Sequence, residues 1–334
     1  VNILHIEPKQ IPSSAKEKLA TLGSVDYLWC DNQEDLRQAL KLKSYNAVFV
    51  RLGLAFHAEE FSLCPDLRAV ITPTTGLDHI DLKLAEKRGV EVLSLRGEIE
   101  VLEKISSTAE LTWTLLLALV RKLPFAFNSV VDGHWNKWPF EGEELIEKTL
   151  GIVGCGRLGR MVARYGIAFG MRVIAYDPDK TAREKAPAGV VFTEFSHLLE
   201  TSDIVSLHVP LNEKTEGFFG HDCFASMKDS AYFINTARGE LTDEQALLDA
   251  LSRNIKGAAV DVVRGDSRWD DGVPENHPLV QYAKNHQNLI ITPHIGGCSS
   301  TATFRSREHV VDMFASFVQG HVRGEKLLKK ESIS

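Results

Sequence analysis

Short apolar runs alternate with stretches of helical period along most of the chain. Asn2–Ile6 alternates weakly and predicts a strand. Ser13 and Ser14 then stand where they would cap a helix through Leu22. Leu36 and Leu40 share one face of the next helix. Ala47–Val50, Ala69–Ile71 and Val90–Leu93 predict further strands, the last preceded by a helix over Leu82–Arg88. Strands alternating with helices imply a parallel sheet covered on both faces. Together they make a first α/β unit of about 100 residues, an ordinary domain size.

Ser107-Thr108-Ala109-Glu110 opens a long helix to about Arg121, with Ser107 as N-cap and Glu110 completing a capping box. Pro124 closes that pattern. Residues 125–148 read as irregular and carry Trp135 and Trp138, which mark an interface if exposed and a core if buried. The alternation then resumes. Leu150–Val153, Val173–Tyr176, Ile204–Leu207, Ala231–Asn235, Ala258–Val262 and Leu289–Ile291 predict strands, apolar throughout as buried parallel strands are. Thr242 stands at the start of a helix over Glu244–Leu251. No repeat or low-complexity tract interrupts the pattern.

The stretch Thr149–Asp177 organises the second unit. A strand runs straight into Gly154-Cys155-Gly156-Arg157-Leu158-Gly159, a helix-period run reaches Phe169, and a second strand ends at Asp177, 18 residues after Gly159. Gly154 permits the tight turn, Gly156 lets a pyrophosphate reach the amides at the helix start, and Gly159 lets helix and strand approach closely. Asp177 accepts hydrogen bonds from an adenosine ribose and repels a 2′-phosphate, which predicts NAD over NADP. In open α/β sheets chemistry sits at the carboxyl ends of the strands. The polar residues there are Asp177, His208, Arg238, Asp261 and His294.

Length and composition narrow the classes. At 334 residues two domains are expected. A net charge of −7 without a basic stripe argues against a nucleic-acid partner. The basic patch Lys326–Lys330 reads as a solvated end. Five scattered cysteines with no CxxC suit free thiols in a reducing cytosol, and no metal site is expected. Cys155 reads as a small filler in the glycine loop. The first residues lack signal-peptide character, and the most apolar helix, around Leu115–Val120, is too short to span a bilayer. A soluble cytoplasmic protein is therefore expected.

Moving a hydride between a nicotinamide and a carbonyl asks for three further groups. A guanidinium holds a substrate carboxylate in bidentate fashion. A histidine exchanges the hydroxyl proton. A carboxylate orients that histidine and favours its protonated form. Arg238, in Asn235–Gly239, and His294, in Thr292–Gly297, supply the first two.

At these residues the chain resembles the D-isomer-specific 2-hydroxyacid dehydrogenases, the group of 3-phosphoglycerate, D-lactate and glyoxylate/hydroxypyruvate enzymes. The resemblance rests on GLDHIDLKLAEKRGVEV (76–92), STAELTWTLLLALVRKLP (107–124), KTLGIVGCGRLGR (148–160), SDIVSLHVPL (202–211), INTARGELTDEQALLDAL (234–251), GAAVDV (257–262) and TPHIGG (292–297), in order and rightly spaced. It implies an α/β fold of two doubly wound parallel-sheet domains, with a Rossmann cofactor domain inserted into a flavodoxin-like substrate domain. The boundaries expected are 1–103 and 297–334 for the substrate domain and 104–296 for the NAD domain.

The resemblance also implies roles. Arg238 would bind the substrate carboxylate and His294 would be the acid/base. Thr75 and Gly76 would offer backbone amides to the substrate. Thr108 would contact the nicotinamide and Asp261 would hold its carboxamide. Gly154, Gly156, Arg157, Leu158, Gly159, Asp177, His208, Val209, Pro210, Thr215, Thr236, Ala237 and Gly296 would line the cofactor groove, together with Arg238 and His294. A homodimer through the cofactor domain, using 125–147, is implied as well.

Three departures stand out. The family's partner for the histidine is usually Glu, whereas the corresponding position here is Asp266, shorter by one C–C bond, about 1.5 Å. It pairs with His294 if the loop advances or a water bridges; otherwise Asp270 or Asp271 substitutes. The loop Ser94–Glu98 differs from the family's and is followed by extra residues, Ile99–Lys104. Arg96 there, Arg51 after an earlier strand, and Arg264 and Arg268 are candidate contacts for an anionic substrate group. Finally, the C-terminal regulatory domain that some phosphoglycerate enzymes carry is not expected here. The reading that follows is an NAD-dependent oxidoreductase interconverting a 2-keto acid and a D-2-hydroxy acid. An NADH-sensing scaffold like the C-terminal binding protein corepressors is the alternative, and a formate- or phosphite-type enzyme ranks third.

Overall fold

The apolar runs become strands that are hydrogen-bonded only to parallel neighbours. The computed structural model describes residues 1–266, 269, 272–274 and 276–322. The described residues divide into two units. One holds Val1–Ile105 and the helix Ser300–Val322; the other holds Ser106–Asp266 and Val273–Ser299.

The first unit carries β1 (Asn2–His5), β2 (Ser24–Tyr27), β3 (Ala47–Phe49), β4 (Ala69–Thr72) and β5 (Glu91–Ser94), in the order β2-β1-β3-β4-β5. All are parallel, the flavodoxin-like order. Successive side chains of a strand face opposite sides, so one sheet buries two cores. Leu4, Val48 and Val70 pack with Leu36, Leu40 and Phe61 on one face. Ile3, Ala47 and Ile71 pack with Leu19, Val310 and Phe314 on the other. The extra residues after β5 form the short helix Ile99–Leu102, whose Leu102 joins the second of these cores.

The second unit carries β6 (Thr149–Val153), β7 (Arg172–Tyr176), β8 (Val190–Phe192), β9 (Ile204–Leu207), β10 (Tyr232–Asn235), β11 (Gly257–Val260) and β12 (Leu289–Ile291). Their order is β12-β11-β10-β9-β6-β7-β8, again parallel throughout. The direction of winding reverses between β6 and β9, the Rossmann switch point, and Val153 and Leu207 are register partners there. The helix Ser107–Val120 packs on this sheet through Trp113, Leu116 and Leu119. The Trp113 ring stacks on Phe169 at 4.6 Å, and its Nε1 donates to the Val162 carbonyl at 3.2 Å.

Several local expectations are corrected. β2 and β8 are edge strands of four and three residues, none of them buried and too few to show a period. Pro124 opens the helix Leu123–Val131 instead of ending a pattern, because a missing N–H is harmless in a first helical turn. The segment after it also holds a 3₁₀ turn, Trp138–Phe140. Ser106, not Ser107, precedes its helix, and its hydroxyl donates to Glu110 at 2.5 Å in place of a capping box. Asp243, not Thr242, caps the helix Glu244–Arg253 by accepting from the Gln245 and Ala246 amides at 2.9 and 3.0 Å. Pro12 stands at the N-cap of Ser13–Leu22, and neither serine caps it. Among the described residues no single helix is long and apolar enough to cross a membrane.

Glu143 anchors the segment that leads into β6. It meets Lys148 at 2.6 Å, the Tyr232 hydroxyl of β10 at 2.9 Å, and Lys256. Burial by itself would raise the carboxyl, but hydrogen bonds from Lys148, Lys256 and Tyr232 outweigh it and bring it down to about 2. The folded value lies below the ordinary 4.5, so the unfolded chain takes up a proton first as pH falls. Stability from this cluster is therefore complete above pH 4.5 and is lost toward pH 2. Glu143→Gln should flatten that part of a stability-versus-pH curve measured by denaturant unfolding; an unchanged curve would remove the cluster from the account.

Candidate active site

The glycine loop leaves β6 at the switch point. Gly154 has φ +90°, and a side chain there would meet the His208 carbonyl at 2.7 Å. A Cβ on Gly159 would lie 2.1 Å from the Gly154 carbonyl oxygen, so helix and loop touch backbone to backbone. Nothing lies within 4 Å of the corresponding point on Gly156. Gly156 is also the N-cap of the helix Arg157–Ala168 and has no side chain to cap the first turn, which opens with Arg157, Leu158 and Gly159. The loop is thus an open cradle of N–H donors at a helix start, which fits a pyrophosphate. Asp177 follows β7 and accepts from the Cys155 amide at 2.7 Å and the Asp179 amide at 2.9 Å, fixing its carboxylate beside the loop. Cys155 is fully buried, and burial pushes its thiol up to about 11, as suits an unreactive filler.

The opposite wall follows β9 and β10. His208 Nε2 lies 2.9 Å from the Ser206 hydroxyl, and burial lowers its pKa to about 4, so the ring is neutral at pH 7. Thr215 donates to the Pro210 carbonyl at 2.7 Å and accepts from the Asn212 amide at 2.9 Å, closing the loop that begins with Val209. Thr236 meets Thr112 with hydroxyls 2.8 Å apart, and Thr112 donates to the Thr108 carbonyl. Asn235, buried at the end of β10, was not among the expected site residues. It accepts from the Ala237 amide at 3.0 Å and donates to the Arg238 carbonyl at 2.8 Å, shaping the loop that carries the arginine. A polar residue ending an apolar strand was the available signal. Arg238 itself has an extended backbone, and its Nη1 donates to the Ala237 carbonyl at 2.7 Å.

The loop after β12 is built on Asp261. One carboxylate oxygen accepts from the Thr292 hydroxyl at 2.6 Å and the Ile295 amide at 2.9 Å; the other accepts from the Gly296 amide at 2.7 Å. Burial raises this carboxyl against the lowering effect of those bonds. Gly296 also faces Thr108, whose Cγ2 would stand 3.1 Å from an added Cβ. His294 donates its amide to the Asp261 carbonyl at 2.9 Å and adopts φ +54°, rare for a side-chain-bearing residue. Its Nδ1 lies 3.0 Å from Asp266 Oδ2. A carboxylate only accepts, so Nδ1 carries the proton and Nε2 remains for chemistry.

The other expected residues belong to the first unit or lie elsewhere. Arg96 Nε approaches the Thr75 carbonyl at 3.4 Å, and the Thr74 hydroxyl donates to the Gly76 carbonyl at 2.7 Å. Arg51 instead donates to the carbonyls of Leu52, Cys30 and Asp31 at 2.9–3.1 Å, which ties the loop after β3 to the segment after β2. Arg264 pairs with Glu216 at 3.1 Å. Arg268, Asp270 and Asp271 lie outside the described residues.

A family model described as D-isomer specific 2-hydroxyacid dehydrogenase, NAD binding domain, matches residues 113–296. The chain belongs to this family. A glyoxylate reductase of Thermofilum pendens is 34% identical over 331 residues, covering 97% of this chain and 92% of the relative. A D-3-phosphoglycerate dehydrogenase of Bacillus subtilis is 34% identical over 281 residues, 84% of this chain and 51% of the relative. The structure of an Aquifex aeolicus D-lactate dehydrogenase complexed with NAD and lactic acid superposes with a TM-score of 0.80 at 29% identity, covering 98% of this chain and 99% of that one. The second unit of this 2-hydroxyacid dehydrogenase family member is its NAD-binding domain, and NAD is the cofactor.

Asp177→Ala removes the acceptor and the negative charge beside the glycine loop. NADH affinity should fall about tenfold, on the scale of a lost hydrogen bond to a charged group. Discrimination against NADPH should shrink. Titration of both dinucleotides checks this, and an unchanged ratio of affinities would count against the role given to Asp177.

Proposed function

We propose that the protein interconverts a 2-keto acid and a D-2-hydroxy acid, with Arg238, His294 and Asp266 carrying the reaction. The observation that supports this most is the His294–Asp266 pair at 3.0 Å, on the loops that follow the neighbouring strands β12 and β11. Arg238 follows β10, the next strand in the sheet. Bound NADH supplies the hydride that adds to C2. The Arg238 guanidinium holds the carboxylate and draws charge from the keto oxygen as it becomes an alkoxide. His294 gives the Nε2 proton to that oxygen, and in the reverse direction removes it. Asp266 holds Nδ1–H and fixes the ring. In the cofactor groove, Thr108 and Asp261 flank the nicotinamide end and Asp177 the adenosine ribose. The walls are Gly154–Gly159 on one side and His208, Val209, Pro210, Thr215, Thr236, Ala237 and Gly296 on the other. The glyoxylate reductase and D-lactate dehydrogenase relatives support small 2-keto acids as the first class to test.

NADH oxidation with glyoxylate, pyruvate, hydroxypyruvate and phosphohydroxypyruvate should identify a substrate. With it, His294→Ala should lower kcat at least about a hundredfold while NADH still binds. Asp266→Asn should lower kcat less and move the alkaline limb of the reduction rate to lower pH. Tight NADH binding with no turnover of any 2-keto acid would instead favour an NADH-sensing scaffold.

The same reading makes the protein a homodimer. The helix Leu123–Val131 buries none of its residues and exposes Leu123, Phe127, Val130 and Val131. Trp135 and Trp138 beyond it are 91% and 74% exposed. A contiguous apolar surface of this kind calls for a covering partner, and a second copy supplies one. Sedimentation should give a dimer, and Phe127→Glu with Val131→Glu should give a folded monomer; a wild-type monomer would end the proposal.

A further inference from the structure

We infer that Glu240 and Glu244 are positioning residues for the His294–Asp266 pair, and that they are what lets a short acid reach the histidine. The inference rests on the acid/base role proposed above for that pair. Asp266 sits at the end of a four-residue turn from Val263, closed by its own amide donating to the Val263 carbonyl at 3.1 Å. The interior of this turn hangs on two carboxylates from a different segment. Glu240 Oε1 accepts the Gly265 amide at 3.1 Å, and Glu244 Oε1 accepts the Arg264 amide at 2.7 Å. Gly265 adopts φ +80°, a conformation that costs glycine little and other residues more. The Asp266 carboxylate points back over the turn, with Oδ2 both 3.4 Å from the Val263 amide and 3.0 Å from His294 Nδ1.

The segment supplying these carboxylates is the one that begins with Arg238. Gly239 lies so close to the turn that a Cβ would fall 2.1 Å from the Val263 carbonyl carbon. Arg264 reaches back, its Nη2 donating to the Glu240 carbonyl at 3.4 Å and its Nη1 to Glu216 at 3.1 Å. Glu244 also faces His277 at 3.4 Å. The arginine segment and the turn bearing the acid are therefore one hydrogen-bonded unit. A glutamate at 266 would reach the histidine from farther away; an aspartate needs its backbone brought forward, and charge-assisted bonds to two consecutive amides hold it there. Neither glutamate is assigned a contact with substrate.

The test compares wild type with Asp266→Asn, Glu240→Ala, Glu244→Ala, the double alanine variant, Glu240→Gln and Gly265→Ala. Two quantities are read: kcat against pH for the 2-keto acid, and the titration midpoint of the His294 ring by NMR, which needs no turnover. The double alanine variant should lose about tenfold to a hundredfold in kcat, as small misplacements at a reacting centre do. Its alkaline limb and His294 midpoint should move to lower pH, in the direction of Asp266→Asn, with NADH affinity unchanged. Added to Asp266→Asn, the alanines should cost nothing further. Glu240→Gln, which keeps an acceptor oxygen, should retain the wild-type limb. Gly265→Ala, which strains the turn and leaves both glutamates in place, should move limb and midpoint the same way. If Asp266→Asn moves both readouts and the alanine variants move neither, the glutamates only support the fold and the inference fails. If Asp266→Asn moves neither, the acid/base role of the pair fails and takes the inference with it.

Discussion

A carboxylate buried at the end of β11 holds the site together. Asp261 is almost fully buried, and an isolated charge there would be costly. Three donors from the loop after β12 offset that cost, a hydroxyl and two amides. The loop in turn has those amides satisfied by the same carboxylate. His294 is carried on it in a left-handed backbone conformation that its side chain would not choose in isolation. The orientation of the histidine is thus a consequence of charge burial two strands' width into a parallel sheet.

The same economy runs through the rest of the second unit. Loops at the carboxyl ends of β6, β9, β10, β11 and β12 are each fixed by side-chain bonds to backbone. Asp177 holds the Cys155 amide, Asn235 the Arg238 loop, Thr215 the Pro210 loop, and Glu240 and Glu244 the turn before Asp266. Buried main-chain donors need partners, and short polar side chains at strand ends provide them. Rigid loops on rigid strands keep the side chains they carry in fixed directions, which is the condition for electrostatic preorganisation in the reaction proposed for this site.

Much of this was legible along the chain. The glycine loop, Asp177, and the strand ends bearing Arg238 and His294 follow from local pattern, because tight turns and apolar strands depend on near neighbours. The errors also have local causes. β2 and β8 are edge strands of four and three residues, too short to show a period. Pro124 was read as a terminator although a first helical turn accepts it. The caps were displaced by one residue, since Ser106 and Ser107, or Thr242 and Asp243, are chemically alike and only geometry chooses between them.

The sequence by itself determined the alternation of strands and helices, the dinucleotide loop and the strand ends that bear Arg238 and His294, since each is set by residues close in the chain. It left open whether an aspartate one bond short would meet the histidine. Only the tertiary structure decided that, because the turn bearing Asp266 is held by Glu240 and Glu244, 25 and 20 positions before the residues they bond. It also decided that Arg51 is bound to the segment after β2 and that Trp135 and Trp138 are exposed. Pairings between distant segments are fixed by packing, and no local pattern records them.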